Sequence, residues 1–275
     1  MSFDPKTDRY PYPEYTDQHY IDAVNYNREL FDKDYPYVDN SKGFRFKQSL
    51  VHVLLNVIVF PVARIRLGLR IKGKENIKNN KELLQNGAIT CSNHIHYWDY
   101  ISIMRAVRPE HPYVISWAPN ITNKSGKLVR LVGGIPIPET DTAASVVFMK
   151  TVKGTLDNKG WIQIYAEGSM WEYYYPIRPF KMGIGYIACV TDKPVLPMAF
   201  SYRKPNLIRR KIFRQIALLT LTIGEPIVPD DSLPRKERET ALVRSCHDAV
   251  CRLAGIDPKD NIYPPIYDHS RKIDY

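Results

Sequence analysis

The chain has 275 residues, 44% hydrophobic and 25% charged, a globular balance that excludes disorder throughout and allows one sizeable core or at most two small domains. A net charge of +10, from 39 Lys and Arg against 29 Asp and Glu, points to an anionic partner: nucleic acid, an anionic membrane surface or a phosphorylated substrate. Cys91, Cys189, Cys246 and Cys251 form no C-x-x-C pair, so reduced cytoplasmic thiols are expected.

The opening MSFDPKTDRYPYPEY has neither a basic n-region nor an apolar h-region, so no secretory signal is expected. Residues 1–43, rich in Tyr, Asp, Asn and Pro, read as an extended arm with one short helix around Tyr20 to Phe31. Residues 44–70 then form an apolar helical segment. Its polar residues Arg45, Ser49, His52 and Asn56 fall at i, i+4, i+7 and i+11, one narrow stripe of a helix that Pro61 is expected to end or kink. At about 14 residues, the apolar stretch from Leu50 to Ala63 is short for a bilayer span, which needs roughly 20. Two readings fit: a helix lying in the membrane interface with Arg64, Arg66 and Arg70 at the headgroups, or a buried core helix.

Residues 71–254 alternate in the way of an α/β domain. GAITCSNH reads as a strand entering a loop, Tyr100 to Val107 as a helix, HPYVISW as a strand, and GKLVRLVGGIPIP as a helical turn and a short strand. A helix near Ala143 to Asn158 precedes the strands WIQIYAEG, KPVLPMAFSY and IALLTLTIGEPI, whose apolar runs suit strands covered on both faces. A last helix spans Arg235 to Ala254, and residues 255–275 form an irregular tail. The basic stretch SYRKPNLIRRKIFRQ lies between two strands. It reads as a charged hairpin loop, or as a contact for anionic lipid. Its aromatics are not interleaved as stacking platforms, so nucleic acid is not expected as a partner.

Two stretches carry chemistry. In CSNHIHYWD, His94 and Asp99 are five apart and meet only if the chain turns between them; Asp99, just before an apolar helical run, is a good N-cap candidate. A histidine held by a carboxylate is a positioned general base able to deprotonate a hydroxyl nucleophile. The alternative is a metal-dependent hydrolase built on His94, His96 and Asp99, with no obvious fourth ligand. In IYAEGSMWEYYYPIRPFKMGIGYIA, Glu167 and Gly168 follow a strand end, Arg178 and Lys181 offer positive charge to an anion, and Gly183 permits close approach.

Together these stretches resemble the glycerolipid acyltransferases, the 1-acylglycerol-3-phosphate acyltransferase family. CSNHIHYWD is similar to its N-H-x-x-x-x-D block, GGIPIP to its second block, AEGSMW to its E-G-T/S block and KPVLPMAF to its fourth, in order over about residues 71 to 230. The resemblance implies a mixed, largely parallel α/β sheet flanked by helices and preceded by a membrane-associating helical segment. It further implies transfer of a fatty acyl group from acyl-CoA or acyl carrier protein to a lysophospholipid hydroxyl, with no resident cofactor and no metal. His94 would be the base, oriented by Asp99. Asn93, Glu167, Gly168, Ser169, Arg178 and Lys181 would form the acceptor site. The place implied is the cytoplasmic face of the cell membrane, peripheral or monotopic. Two arginines of the family pattern are missing. Met170 stands after E-G-S, and Pro138 and Glu139 close the second block. Arg178, Lys181 or Arg130 would have to grip an acceptor phosphate, or the acceptor lacks a phosphomonoester; lysophosphatidate is the acceptor the family implies.

Overall fold

Along the strand Val195–Arg203, Leu196, Met198 and Phe200 are buried in one apolar cluster and Val195 and Ala199 in another. A strand covered on both faces has no polar side to show, which is why its sequence reads as a continuous apolar run. The computed structural model describes His19, residues 26–139 and residues 141–261. Within it, β1 (Arg70–Lys72), β2 (Ala88–Cys91), β3 (Tyr113–Ser116), β4 (Gly134–Pro136), β5 (Trp161–Ile164), β6 (Val195–Arg203) and β7 (Leu218–Ile223) form a seven-stranded sheet in the order β1-β7-β6-β2-β5-β3-β4. Every neighbouring pair is parallel except β6 and β7, which run antiparallel. The expected mixed, largely parallel sheet is therefore the one observed.

Helices cover both faces. Thr142–Asp157, Gly183–Thr191 and Arg235–Ala254 supply Phe148, Val152, Ile184, Ile187, Leu242 and Val250 to one core. Asp99–Ala106 supplies Ile103 to the other. Short helices Lys74–Asn79, Lys81–Leu84, Ala118–Thr122, Gly126–Leu131 and Leu207–Lys211 fill the connections. The last lies in the basic stretch between antiparallel β6 and β7, which is thus a hairpin connection with a helical turn.

The apolar segment is one helix, Lys42–Arg66, capped at its start by Ser41 Oγ, which accepts the Phe44 amide at 3.3 Å. Pro61 neither ends nor breaks it. A π-helical turn, Leu55–Val59, precedes the proline, and the Phe60 amide bonds back five residues to the Leu55 carbonyl. The missing N–H of Pro61 then falls in the first turn of a fresh α segment, where proline is tolerated. Leu55 and Phe60 pack on Met104, docking the helix against Asp99–Ala106. The rest of its apolar surface is bare: Phe46, Val53, Val57 and Ile65 are each more than half exposed, and only 17% of its most apolar stretch, of mean hydropathy 1.6, is buried. The core-helix reading does not describe this element.

The N-terminal arm also differs from expectation. Of the helix expected around Tyr20 to Phe31, residues 20–25 lie outside the described residues, and the remainder holds only a 3₁₀ turn, Arg28–Leu30. Phe31 and Tyr37 are buried in the main core, Tyr37 edge-on to Phe148 at 5.9 Å, so residues 31–37 pack as part of the domain. Of the tail, residues 262–275 lie outside the described residues.

Candidate active site

Strands β2 and β5 are parallel neighbours with Cys91 opposite Ile164, so the loops leaving their carboxyl ends lie side by side. The first loop carries Asn93, His94 and His96; the second carries Tyr165, Glu167, Gly168 and Ser169. Their contact is direct: the His94 amide donates to Glu167 Oε2 at 3.1 Å, and the His94 carbonyl accepts the Trp171 amide at 3.0 Å.

The chain turns between His94 and Asp99, and His94 Nδ1 stands 3.1 Å from Asp99 Oδ2. Asp99 is fully buried and its Oδ2 also accepts the amides of Ile95 at 2.7 Å and His96 at 2.9 Å. This corrects the cap assignment. Trp98 occupies the cap position, and Asp99 is the first helical residue, its carboxylate turned back onto the preceding loop. With Nδ1–H donating to Asp99, Nε2 is the nitrogen left to take a proton from a substrate. The His94 ring lies 3.8 Å from the Tyr165 ring, stacked within 12°. Burial, and then Asp99, push the Tyr165 hydroxyl well above the usual tyrosine range, so it stays protonated.

His96 has other work. It is buried, its Nδ1 accepts the Trp98 amide at 3.0 Å, and burial pulls its pKa below the usual histidine range. Among the described residues no three His, Cys, Asp or Glu side chains are grouped to hold a metal ion.

Of the expected acceptor residues, three shape the site from behind. Asn93 is buried and exchanges two hydrogen bonds with the Phe200 backbone, accepting at 2.8 Å and donating at 3.0 Å, which pins the histidine loop to β6. Arg178 is 1% exposed. It pairs with Glu167 Oε2 at 3.0 Å, donates to Ser169 Oγ at 3.0 Å and to the Ser169 carbonyl, and lies 4.6 Å over the Trp171 ring. It is a positioning residue, not an exposed phosphate ligand. Arg130 is similarly held by the carbonyls of Pro36, Tyr37 and Gly134. Lys181 differs: it is exposed and lies over Gly168, whose φ of +84° and missing side chain admit it; a Cβ there would stand 2.6 Å from Lys181 Cε.

His94, Gly168, Ser169, Met170 and Lys181 line one side of a cavity of about 1750 Å³. Its other walls are mostly apolar and include Val51, Leu54, Leu55 and Val59 of the N-terminal helix, with Asn120, Asn123, Ser125 and Glu139 among the polar exceptions. Sequence reasoning paired His94 with Asp99, which the structure brings together, but missed Tyr165, the inward role of Asn93 and this cavity. The signal for Tyr165 was only its place directly after a strand end. Among the described residues no Ser or Cys side chain hydrogen-bonds His94.

A half-buried histidine held by the buried Asp99 carboxylate and opening on a largely apolar cavity, at the carboxyl ends of a largely parallel sheet, is an arrangement able to exchange a proton with a bound molecule. Residues 68–201 match the family described as Acyltransferase, so this segment is an acyltransferase domain. Among solved structures, the 1-acyl-sn-glycerophosphate (LPA) acyltransferase PlsC from Thermotoga maritima is similar at 17% identity, with a TM-score of 0.45 over 78% of this chain and 89% of that chain. No curated protein sequence matches the chain.

Proposed function

We propose that the chain transfers a fatty acyl group from an acyl thioester, acyl-CoA or acyl-carrier protein, to the hydroxyl of a lysophospholipid at a membrane surface. The observation that carries this reading is the apolar cavity of about 1750 Å³ with His94 in its wall, a space suited to an acyl chain whose reacting end sits at a base. His94 Nε2 takes the hydroxyl proton as the acceptor oxygen attacks the thioester carbonyl. The tetrahedral intermediate then collapses, the C–S bond breaks, and the imidazolium returns the proton to the thiolate. The products are an ester and a free thiol. Asp99 holds the ring and stabilises its charged form. The steps need no resident cofactor. The bare apolar face of Lys42–Arg66 supports a peripheral or monotopic position on a membrane, which the family resemblance puts at the cytoplasmic face.

The acceptor is read from charge. Among the described residues Lys181 is the one Lys or Arg in the cavity wall, which Glu139 also lines, while Arg130 and Arg178 are held by the protein itself. A phosphomonoester carries about −1.5 to −2 charge at neutral pH, so a single cation suits a phosphodiester headgroup better. Lysophosphatidate, the acceptor implied by the block resemblance, is the second reading. The test is acyl transfer by purified protein with vesicles over a panel of lysolipids, wild type beside His94→Ala. A drop of roughly 10²- to 10⁴-fold in the variant is expected. Equal activity in the two proteins, or none in either, overturns the reading; the acceptor used separates its two forms.

A further inference from the structure

A second cavity, of about 730 Å³, shares no lining residue with the one at His94. Arg64, Arg70, Lys72, Lys74, Arg105 and Arg108 line it, and no acidic side chain does. None of the six forms an ion pair with an acidic side chain among the described residues. They come from four places in the chain: the end of the N-terminal helix, β1, the helix Lys74–Asn79, and the end of Asp99–Ala106 with the turn after it. Their mutual repulsion is visible in Lys74, held below the usual lysine range first by burial and then by Arg105 and Arg108. Arg105 is lowered in the same way by burial, Arg64 and Arg108. Six convergent cations facing no counter-charge destabilise the fold unless an anion joins them.

We propose that this cavity binds the phosphate-bearing headgroup of an anionic membrane lipid. The argument for that occupant is adjacency. Arg64 belongs to the helix whose apolar face is bare, and its neighbours Val62 and Ile65 are exposed. The same helix end is joined to the β6–β7 connection, where Arg209 and Gln215 donate to the Ile65 carbonyl and Leu207, Ile208, Ile212 and Phe213 are all more than half exposed. A basic concavity flanked by unburied apolar side chains matches a headgroup layer above acyl chains. A thioester donor fits less well, because its sulfur must reach His94 and the two cavities have no wall in common.

The proposal rests on the membrane-surface part of the proposed function but needs no turnover to test. The full chain is sedimented with phosphatidylcholine vesicles, with and without phosphatidylglycerol. Arg105→Gln/Arg108→Gln is compared with Lys236→Gln/Arg244→Gln, which removes the same charge from the helix on the opposite face of the sheet. The cavity variant should lose about tenfold or more of its partition to the anionic vesicles, at about 1 kcal/mol per basic residue near the surface. Its binding to neutral vesicles and to coenzyme A should match wild type. Lys74→Gln, on a different helix, should shift partition the same way and decides the matter if the double variant does not fold. Unchanged partition, an equal loss in the opposite-face control, or loss of coenzyme A binding each overturn the proposal. A chain inactive on every lysolipid would instead sink the acceptor reading and leave this one standing.

Discussion

One oxygen of Asp99 holds both the His94 ring, at 3.1 Å from Nδ1, and the turn that carries it, through the amides of Ile95 and His96. Orientation and backbone geometry are therefore coupled. Asp99→Asn replaces the acceptor by an amide that can present a donor to Nδ1 and favour the wrong tautomer. Its kcat should fall roughly 10²- to 10⁴-fold with a small change in acceptor KM. Steady-state kinetics check this; a variant within a few-fold of wild type removes Asp99 from the mechanism.

Arg178 and Lys181, three residues apart, should give opposite phenotypes. Arg178→Met leaves the buried Glu167 carboxylate without its cation, a loss of about 3–5 kcal/mol in urea unfolding. Lys181→Met, at an exposed position, should stay within about 0.5 kcal/mol of wild type yet raise KM for a phosphorylated acceptor. If both variants are equally unstable, the division between positioning and binding is wrong.

Chain-length preference should follow cavity volume. Met149 lines the cavity, and Met149→Trp shortens the space available. Each methylene denied burial costs about 0.8 kcal/mol, or about fourfold, so relative kcat/KM should shift toward shorter acyl thioesters by that factor per methylene. An unchanged acyl profile would put the chain elsewhere.

Stability should fall on acidification. The His52 and His111 rings stack with centroids 4.1 Å apart. Burial and then His111 push His52 down to about 4, and burial and then Arg108 lower His111. Groups with depressed folded-state pKa values are neutral in the fold and take up protons on unfolding. Their contribution is complete above about 6.5, the unfolded value, and is lost as pH drops toward 4. Urea midpoints measured from pH 7.5 to 4.5 should decline, and less steeply in His52→Phe.

The strands covered on both faces were legible because full burial writes an unbroken apolar run, and Arg235–Ala254 was placed at both ends by its own pattern. Strand β1 and the two helices after it were not, since RIKGKENIKNNKELL carries seven charges in fifteen residues and β1 is ordered by pairing with β7. The helix Gly183–Thr191 was hidden by glycines that disfavour helix locally. Gly185 is there for packing: a Cβ would stand 2.5 Å from the Glu239 carbonyl of the last helix. His94 and Asp99 were readable as a pair through residue type and spacing. Arg178 was not readable as an interior residue, because a basic letter in a basic loop does not show that aromatic and acidic side chains close over it.

The wide turn at Leu55–Val59 also sets a phase. A π turn accommodates one residue more than an α turn, and each α-helical residue advances about 100° around the axis. The polar line of Arg45, Ser49, His52 and Asn56 therefore stops at that turn, and the helix resumes with Phe60 and Ala63 buried. Winding all five residues of Leu55–Val59 as α helix would keep the hydrogen-bond pattern regular at the expense of alignment. One half of the helix would rotate by about 100°, and either Phe60 would leave Met104 or Val51 would leave the cavity wall. The wide turn absorbs the extra residue, so that Val51 before it and Phe60 after it stay on one face of a single rod, packed in one cluster with Met104.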